Sequence, residues 1–110
     1  MYRIVLIDDE PLVLAGIASL IPWEEYDCTI VGKATNGNRA MELILDLNPD
    51  IVITDIRMPV MNGLELIEAC QKQGCEFAFL LLTNLEDFQL AQQAVRLGAT
   101  VHFCYAITGA

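Results

Sequence analysis

Asp8, Asp9 and Asp55, with Thr83 and Asn84, are the residues of this sequence best suited to chemistry. Each group follows a short apolar run: Ile4-Val5-Leu6-Ile7, Ile51-Val52-Ile53-Thr54, and Phe77 to Leu82. Clustered carboxylates repel one another and cost stability unless a cation neutralises them. Hard oxygen donors suit Mg²⁺, which takes one or two carboxylates together with waters and phosphate oxygens. Such an ion would also offset the charge of a phosphate donor. A single Asp could then act as nucleophile and form an acyl phosphate, with the Thr83 hydroxyl donating to a phosphoryl oxygen. An Asp at a strand end is often only an N-cap, and Asp9 or Glu10 before Pro11 fits that use. Three acidic groups at strand ends, with Thr83 beside them, favour a site, but their spacing leaves the reaction open.

The elements that must bring these residues together are legible as alternating patterns. Ile4–Ile7 lacks polar alternation, as a strand buried on both faces should. Pro11 is a favoured first helical residue, and helical spacing through Leu12, Ala15 and Leu20 runs up to Pro22. Cys28–Val31 reads as a second strand ended by Gly32. Asn36-Gly37 opens a second helix with Ala40, Met41, Ile44 and Leu45 on one side, stopped by Asn48-Pro49. Ile51–Thr54 is a third strand ending at Asp55. Asn62 is the N-cap of a third helix that keeps Leu64, Ile67 and Cys70 or Gln71 on one side until Gly74. Phe77–Leu82 is a fourth strand, Glu86–Leu97 a fourth helix capped by Gly98, and Val101–Cys104 a fifth strand. Phe88, Leu90 and Val95 read as core or near-core residues of that helix. The order predicts one α/β domain, a parallel sheet with helices on both faces. Ligands in such sheets bind outside the carboxyl ends of the strands, which is where the acids fall.

Composition narrows the functions. The chain has 110 residues, 55% of them hydrophobic, and a net charge of -9. One domain with a real core fits that length. The charge disfavours binding to nucleic acid or anionic membrane. No apolar run approaches the ~20 residues of a membrane span. No signal-peptide pattern opens the sequence, so a cytoplasmic location is expected. Cys28, Cys70, Cys75 and Cys104 form no C-x-x-C pair, and His102 is the only histidine, which leaves little for a zinc site. Reduced, buried or neutral thiols are the expectation.

Three motifs add a resemblance. Leu6-Ile7-Asp8-Asp9-Glu10-Pro11, Asp50-Ile51-Val52-Ile53-Thr54-Asp55-Ile56-Arg57-Met58-Pro59 and Met61-Asn62-Gly63-Leu64-Glu65-Leu66 resemble the signatures of two-component response-regulator receivers. Trp23-Glu24, Ile30-Val31-Gly32 and Asn36-Gly37 resemble receivers that carry an arabinose-regulator-type DNA-binding domain. The resemblance implies a flavodoxin-like, doubly wound sheet of five parallel strands in the order 2-1-3-4-5. It implies Asp55 as phosphoacceptor and Mg²⁺ held by Asp8, Asp9, Asp55 and the backbone carbonyl of Arg57. Thr83 and His102 fall at switch positions. The implied function is phosphoacceptor signalling, taking a phosphoryl group from a histidine kinase and controlling transcription through a C-terminal output domain outside this chain. No enzyme is implied beyond self-catalysed phosphoryl transfer and autodephosphorylation.

The sequence departs from that pattern near its end. Alignment from Gly98-Ala99 places Tyr105 where the family has a Lys, and Ala106 where it has Pro; Lys33 and Lys72 fall elsewhere. The expectation is a receiver over 1–110, truncated after strand five and lacking the fifth helix. Apolar surface on Ile4–Ile7 and Phe103 would then lose cover, which makes a homodimer an expected partner state. The alternative is a pseudo-receiver that keeps the fold as an interaction domain but does not switch on phosphorylation. An aspartate-nucleophile phosphatase would want D-x-D, which Asp55-Ile56-Arg57 breaks. A flavin carrier would want a Gly/Ser/Thr-rich phosphate loop where Asp8-Asp9-Glu10 stands.

Overall fold

The computed structural model describes residues 1–58, 60–83, 88–98 and 100–103. Its elements are β1 (Tyr2–Ile7), α1 (Pro11–Leu20), a 3₁₀ turn (Trp23–Tyr26), β2 (Cys28–Ala34), α2 (Gly37–Leu47), β3 (Ile51–Asp55), α3 (Gly63–Lys72), β4 (Ala78–Thr83), α4 (Phe88–Arg96) and β5 (Thr100–Phe103). The strands lie in the order β2-β1-β3-β4-β5, and every neighbouring pair is parallel. This is the flavodoxin-like α/β arrangement.

Apolar runs form the central strands because both sheet faces are covered. On one face Val5, Ile7, Val52, Phe79 and Leu81 meet α2 and α3 through Ala40, Ile44, Leu64 and Ile67. On the other, Ile4, Leu6 and Ile53 meet Leu14 and Ile17 of α1. Ile4, Val5, Leu6 and Ile7 are at most 3% exposed, which corrects the expectation that they lose cover. Leu80 and Leu82 are only half-buried on the α1 side. The expected absence of a fifth helix concerns residues outside the described set, as do Asn84, Glu86, Ala99, Cys104, Tyr105 and Ala106.

Several local readings change. β2 does not end at Gly32: a register shift pairs Ile4 with Ile30 but Val5 with Gly32, so the strand absorbs Val31 as an extra residue and runs on to Ala34. Gly32 is where α2 packs close, since a Cβ there would sit 3.1 Å from Leu47. Leu45 and Val95 are exposed, because α2 turns Gly37, Ala40 and Ile44 inward and Val95 lies on the outer side of α4. The side chains of Phe88 and Leu90 lie outside the described set. Asn62 caps α3 as expected and forms a capping box with Glu65. Gly98, at φ 97°, has the left-handed conformation expected after α4. Among the described residues, no helix is long and apolar enough to cross a membrane.

Candidate functional site

β1 and β3 are adjacent and in register, with Ile7 level with Thr54. The next residues, Asp8 and Asp55, therefore emerge side by side at the carboxyl edge. One carboxylate oxygen from each of Asp8, Asp9 and Asp55 lies within 4.8 Å of the others. Asp8 is buried, while Asp9 and Asp55 are half-buried.

Backbone donors orient two of the three acids. The Glu10 amide donates to Asp8 Oδ1 at 2.9 Å, and the Arg57 amide donates to Asp55 Oδ1 at 3.4 Å. Glu10 itself sits at the N-cap of α1 and makes no side-chain cap bond. The Asp8 amide donates to Ala34 O at 3.1 Å, which ties the start of the acidic loop to the end of β2.

Burial raises the pKa of Asp55 to about 6, with further upward pushes from the charges of Asp8 and Asp9. Burial likewise raises Asp8, opposed by its bond from Glu10. Burial and like charge both disfavour the ionised form, and a cation held between the acids would offset them. Three convergent carboxylates match the donor chemistry of a hard divalent cation such as Mg²⁺.

Thr83 ends β4, and the register pairs Asp55 with Leu82 and Leu82 with His102. The backbone of Thr83 thus lies one step beyond Asp55 at the same edge, with His102 level with Leu82 on β5. The side chains of Thr83 and His102 are outside the described set, as is Tyr105.

Supporting residues escaped the sequence reading. Thr54 is fully buried, and its hydroxyl donates to Asp55 O at 3.0 Å. Gly63 lets α3 begin directly under β3: its amide donates to Ile56 O at 2.8 Å, and a Cβ there would stand 2.9 Å from Asp55 O. Asn62-Gly63 reads in sequence as a turn signal, and only the chain crossing shows why Gly is needed.

Comparison with known proteins agrees with the fold. The family model for the response regulator receiver domain matches residues 4–103. The transcriptional regulatory protein YesN of Bacillus subtilis is 42% identical over 98 residues, covering 89% of this chain and 27% of YesN. The receiver domain of AraT, a response regulator from Geobacillus stearothermophilus, superposes with a TM-score of 0.85 at 28% identity, covering 94% of this chain and 81% of that one. A two-component transcriptional regulator AraC from Clostridium phytofermentans gives 0.84 at 25% identity, with 94% and 81% covered.

The chain belongs to the response regulator receiver domain family of two-component systems. Members of that family are signalling modules rather than conventional enzymes. This chain spans about a quarter of the length of YesN.

Proposed function

We propose that residues 1–110 are the receiver unit of a longer cytoplasmic response regulator, and that Asp55 is its phosphoacceptor. The observation carrying this reading is the convergence of Asp8, Asp9 and Asp55 at the carboxyl edge. Asp8, Asp9, Asp55 and the backbone carbonyl of Arg57 would hold Mg²⁺, which supplies charge neutralisation between the acids and the incoming phosphoryl group.

Ionised Asp55 attacks the phosphorus of a kinase phosphohistidine; the new O–P bond makes an acyl phosphate as the N–P bond breaks toward the imidazole. Asp8 is held in place beside the acceptor by the Glu10 amide. The Thr83 hydroxyl donates to a phosphoryl oxygen, and His102 takes part in the switch on β5. Self-catalysed dephosphorylation completes the cycle.

The partners are a histidine kinase and a C-terminal DNA-binding output domain, in keeping with the transcriptional regulators among the relatives. The segment itself binds neither nucleic acid nor membrane. A homodimer is consistent with the half-buried Leu80 and Leu82.

The test is incubation with acetyl phosphate and Mg²⁺ followed by intact mass. One added phosphoryl group is expected, and none in Asp55→Asn; persistent labelling of that variant refutes the assignment. A second reading, a pseudo-receiver used for interaction alone, is favoured by Tyr105 at the family's Lys position. It predicts labelling without a change of shape in the Tyr105→Lys variant as well as in the unmodified chain.

A further inference from the structure

α3 runs away from the acidic edge, so its last turn lies about 15 Å from its start at Gly63. There the chain ends the helix with a left-handed glycine, Gly74, at φ 76°. The Gly74 amide donates to Gln71 O and the Cys75 amide donates to Cys70 O, each at 3.1 Å. This pair of bonds is a Schellman cap, which brings the residue after the glycine over the residue five before it. Both positions here are cysteines, and both are free thiols. A disulfide needs Cα atoms about 4.4–6.8 Å apart with the Cβ atoms facing. A cap that hydrogen-bonds the two residues to each other holds their backbones near that range.

We propose that Cys70 and Cys75 are a peroxide-sensitive dithiol that closes to a disulfide across the C-terminal cap of α3. The two sulfurs are unequal. Cys70 is fully buried, with its Sγ 3.4 Å from Met41 Sδ of α2, whereas Cys75 is half-buried. Burial first, and then the neighbouring Cys75 thiol, push the Cys70 thiol up to about 12. Cys75 is therefore the sulfur a hydroperoxide reaches first, and Cys70 is the resolving partner.

The Cys75 thiolate attacks a peroxide oxygen; the O–O bond breaks, and the departing oxygen takes a proton to leave as water or an alcohol. Cys75 becomes a sulfenic acid. Cys70 Sγ then attacks the Cys75 sulfur, the S–S bond forms, the S–O bond breaks, and the hydroxyl leaves with the Cys70 proton as water. Two thiols lose two electrons and one hydroperoxide gains them. The high pKa of Cys70 makes this second step slow, since its thiolate fraction is small. Closure fixes the turn of α3 from which Gln71 Nε2 donates to Leu97 O, at 2.6 Å, at the end of α4. The site is separate from the acids in position and chemistry, so it stands apart from the phosphoacceptor reading.

Trypsin makes the test direct, because Lys72 lies between the two cysteines and cleavage there puts them on different peptides. The reduced chain is treated with hydrogen peroxide, alkylated and digested. The expected result is loss of two hydrogens from the intact mass and a Cys70–Cys75 cross-linked peptide pair that a thiol reductant separates. Cys75→Ser is expected to abolish the link while leaving Cys28 alkylatable; the map of the unmodified chain decides the matter even if that variant folds poorly. No reaction, a Cys75 sulfinic acid beside an alkylatable Cys70, or links through Cys28, Cys104 or a second copy would each overturn the proposal.

Discussion

Asp55 carries its strain as an unfavourable charge rather than a distorted backbone. Its pKa stands at about 6 in the fold against an ordinary 3.8, chiefly through burial and then through Asp8. Between those values the folded chain binds a proton that the unfolded chain has released. Stability of the metal-free chain therefore falls as pH rises through this window, and the upward shift of Asp8 acts in the same direction. Half-exposure of Asp55 lets solvent soften the effect. A divalent cation binds the ionised acids, so its stabilisation grows where they are ionised. Thermal unfolding with and without Mg²⁺ is expected to show a larger gain at about pH 7 than at about pH 5; equal gains would show that these acids do not form the metal site. The identity of the three acids was legible because strand ends of a parallel sheet meet at one edge. The burial of Asp8 and the half-burial of Asp9 and Asp55 were not, since they depend on how the folded chain closes around them. Nor was the role of Thr54, whose hydroxyl looks like one more β-branched strand residue until its bond to Asp55 O is seen.

At the scale of elements, the loop from β3 to α3 is built with one costly residue and one favourable cap. Val60 is 89% exposed and adopts φ 70°, where a β-branched side chain crowds its own backbone. Val60→Gly removes that cost, about 1–2 kcal/mol, and gives back part of it as unfolded-state entropy, for a net gain of roughly 0.5–1 kcal/mol. A urea midpoint lower than that of the parent chain would contradict this. Asn62 works the other way: its side chain accepts from the Glu65 amide at 2.9 Å while Glu65 reaches back to the Asn62 amide. Asn62→Ala is expected to cost about 1 kcal/mol in the same denaturation experiment; no loss would mean that water caps α3 equally well. The cap was legible because Asn-Gly before a helical apolar pattern is a local signal. The extent of β2 was not, because a register shift arises from pairing with β1. The buried side of α1 was equally hidden: the helix is apolar almost all round, so Leu12 and Leu20 look as eligible for the core as Leu14 and Ile17.

Across the whole molecule, the question is whether charge placed on Asp55 can reach the far strands. The sheet offers a short route: Asp55, Leu82 and His102 lie level on β3, β4 and β5, with Thr83 one step beyond. A phosphoryl group moves a population only by its preference for one arrangement over the other. In the receiver family a Lys contributes to that preference, and the alignment from Gly98-Ala99, on which this expectation rests, puts Tyr105 at its position. A phenol can donate a hydrogen bond but brings no positive charge. A charge-assisted bond is typically worth ~1.5–3 kcal/mol net, so its loss removes much of the drive toward the activated arrangement. Phosphorylation or beryllofluoride is therefore expected to load Asp55 while moving α4 and β5 little, and Tyr105→Lys is expected to enlarge the response. Amide NMR spectra of both chains, with and without beryllofluoride, read this directly. Large shifts throughout α4 and β5 in the unmodified chain would defeat the argument, because the Thr83 hydroxyl and the metal would then suffice. Shifts confined to the acidic loops in both chains would place the break elsewhere on the route, between Thr83 and β5, and would favour the interaction-only reading.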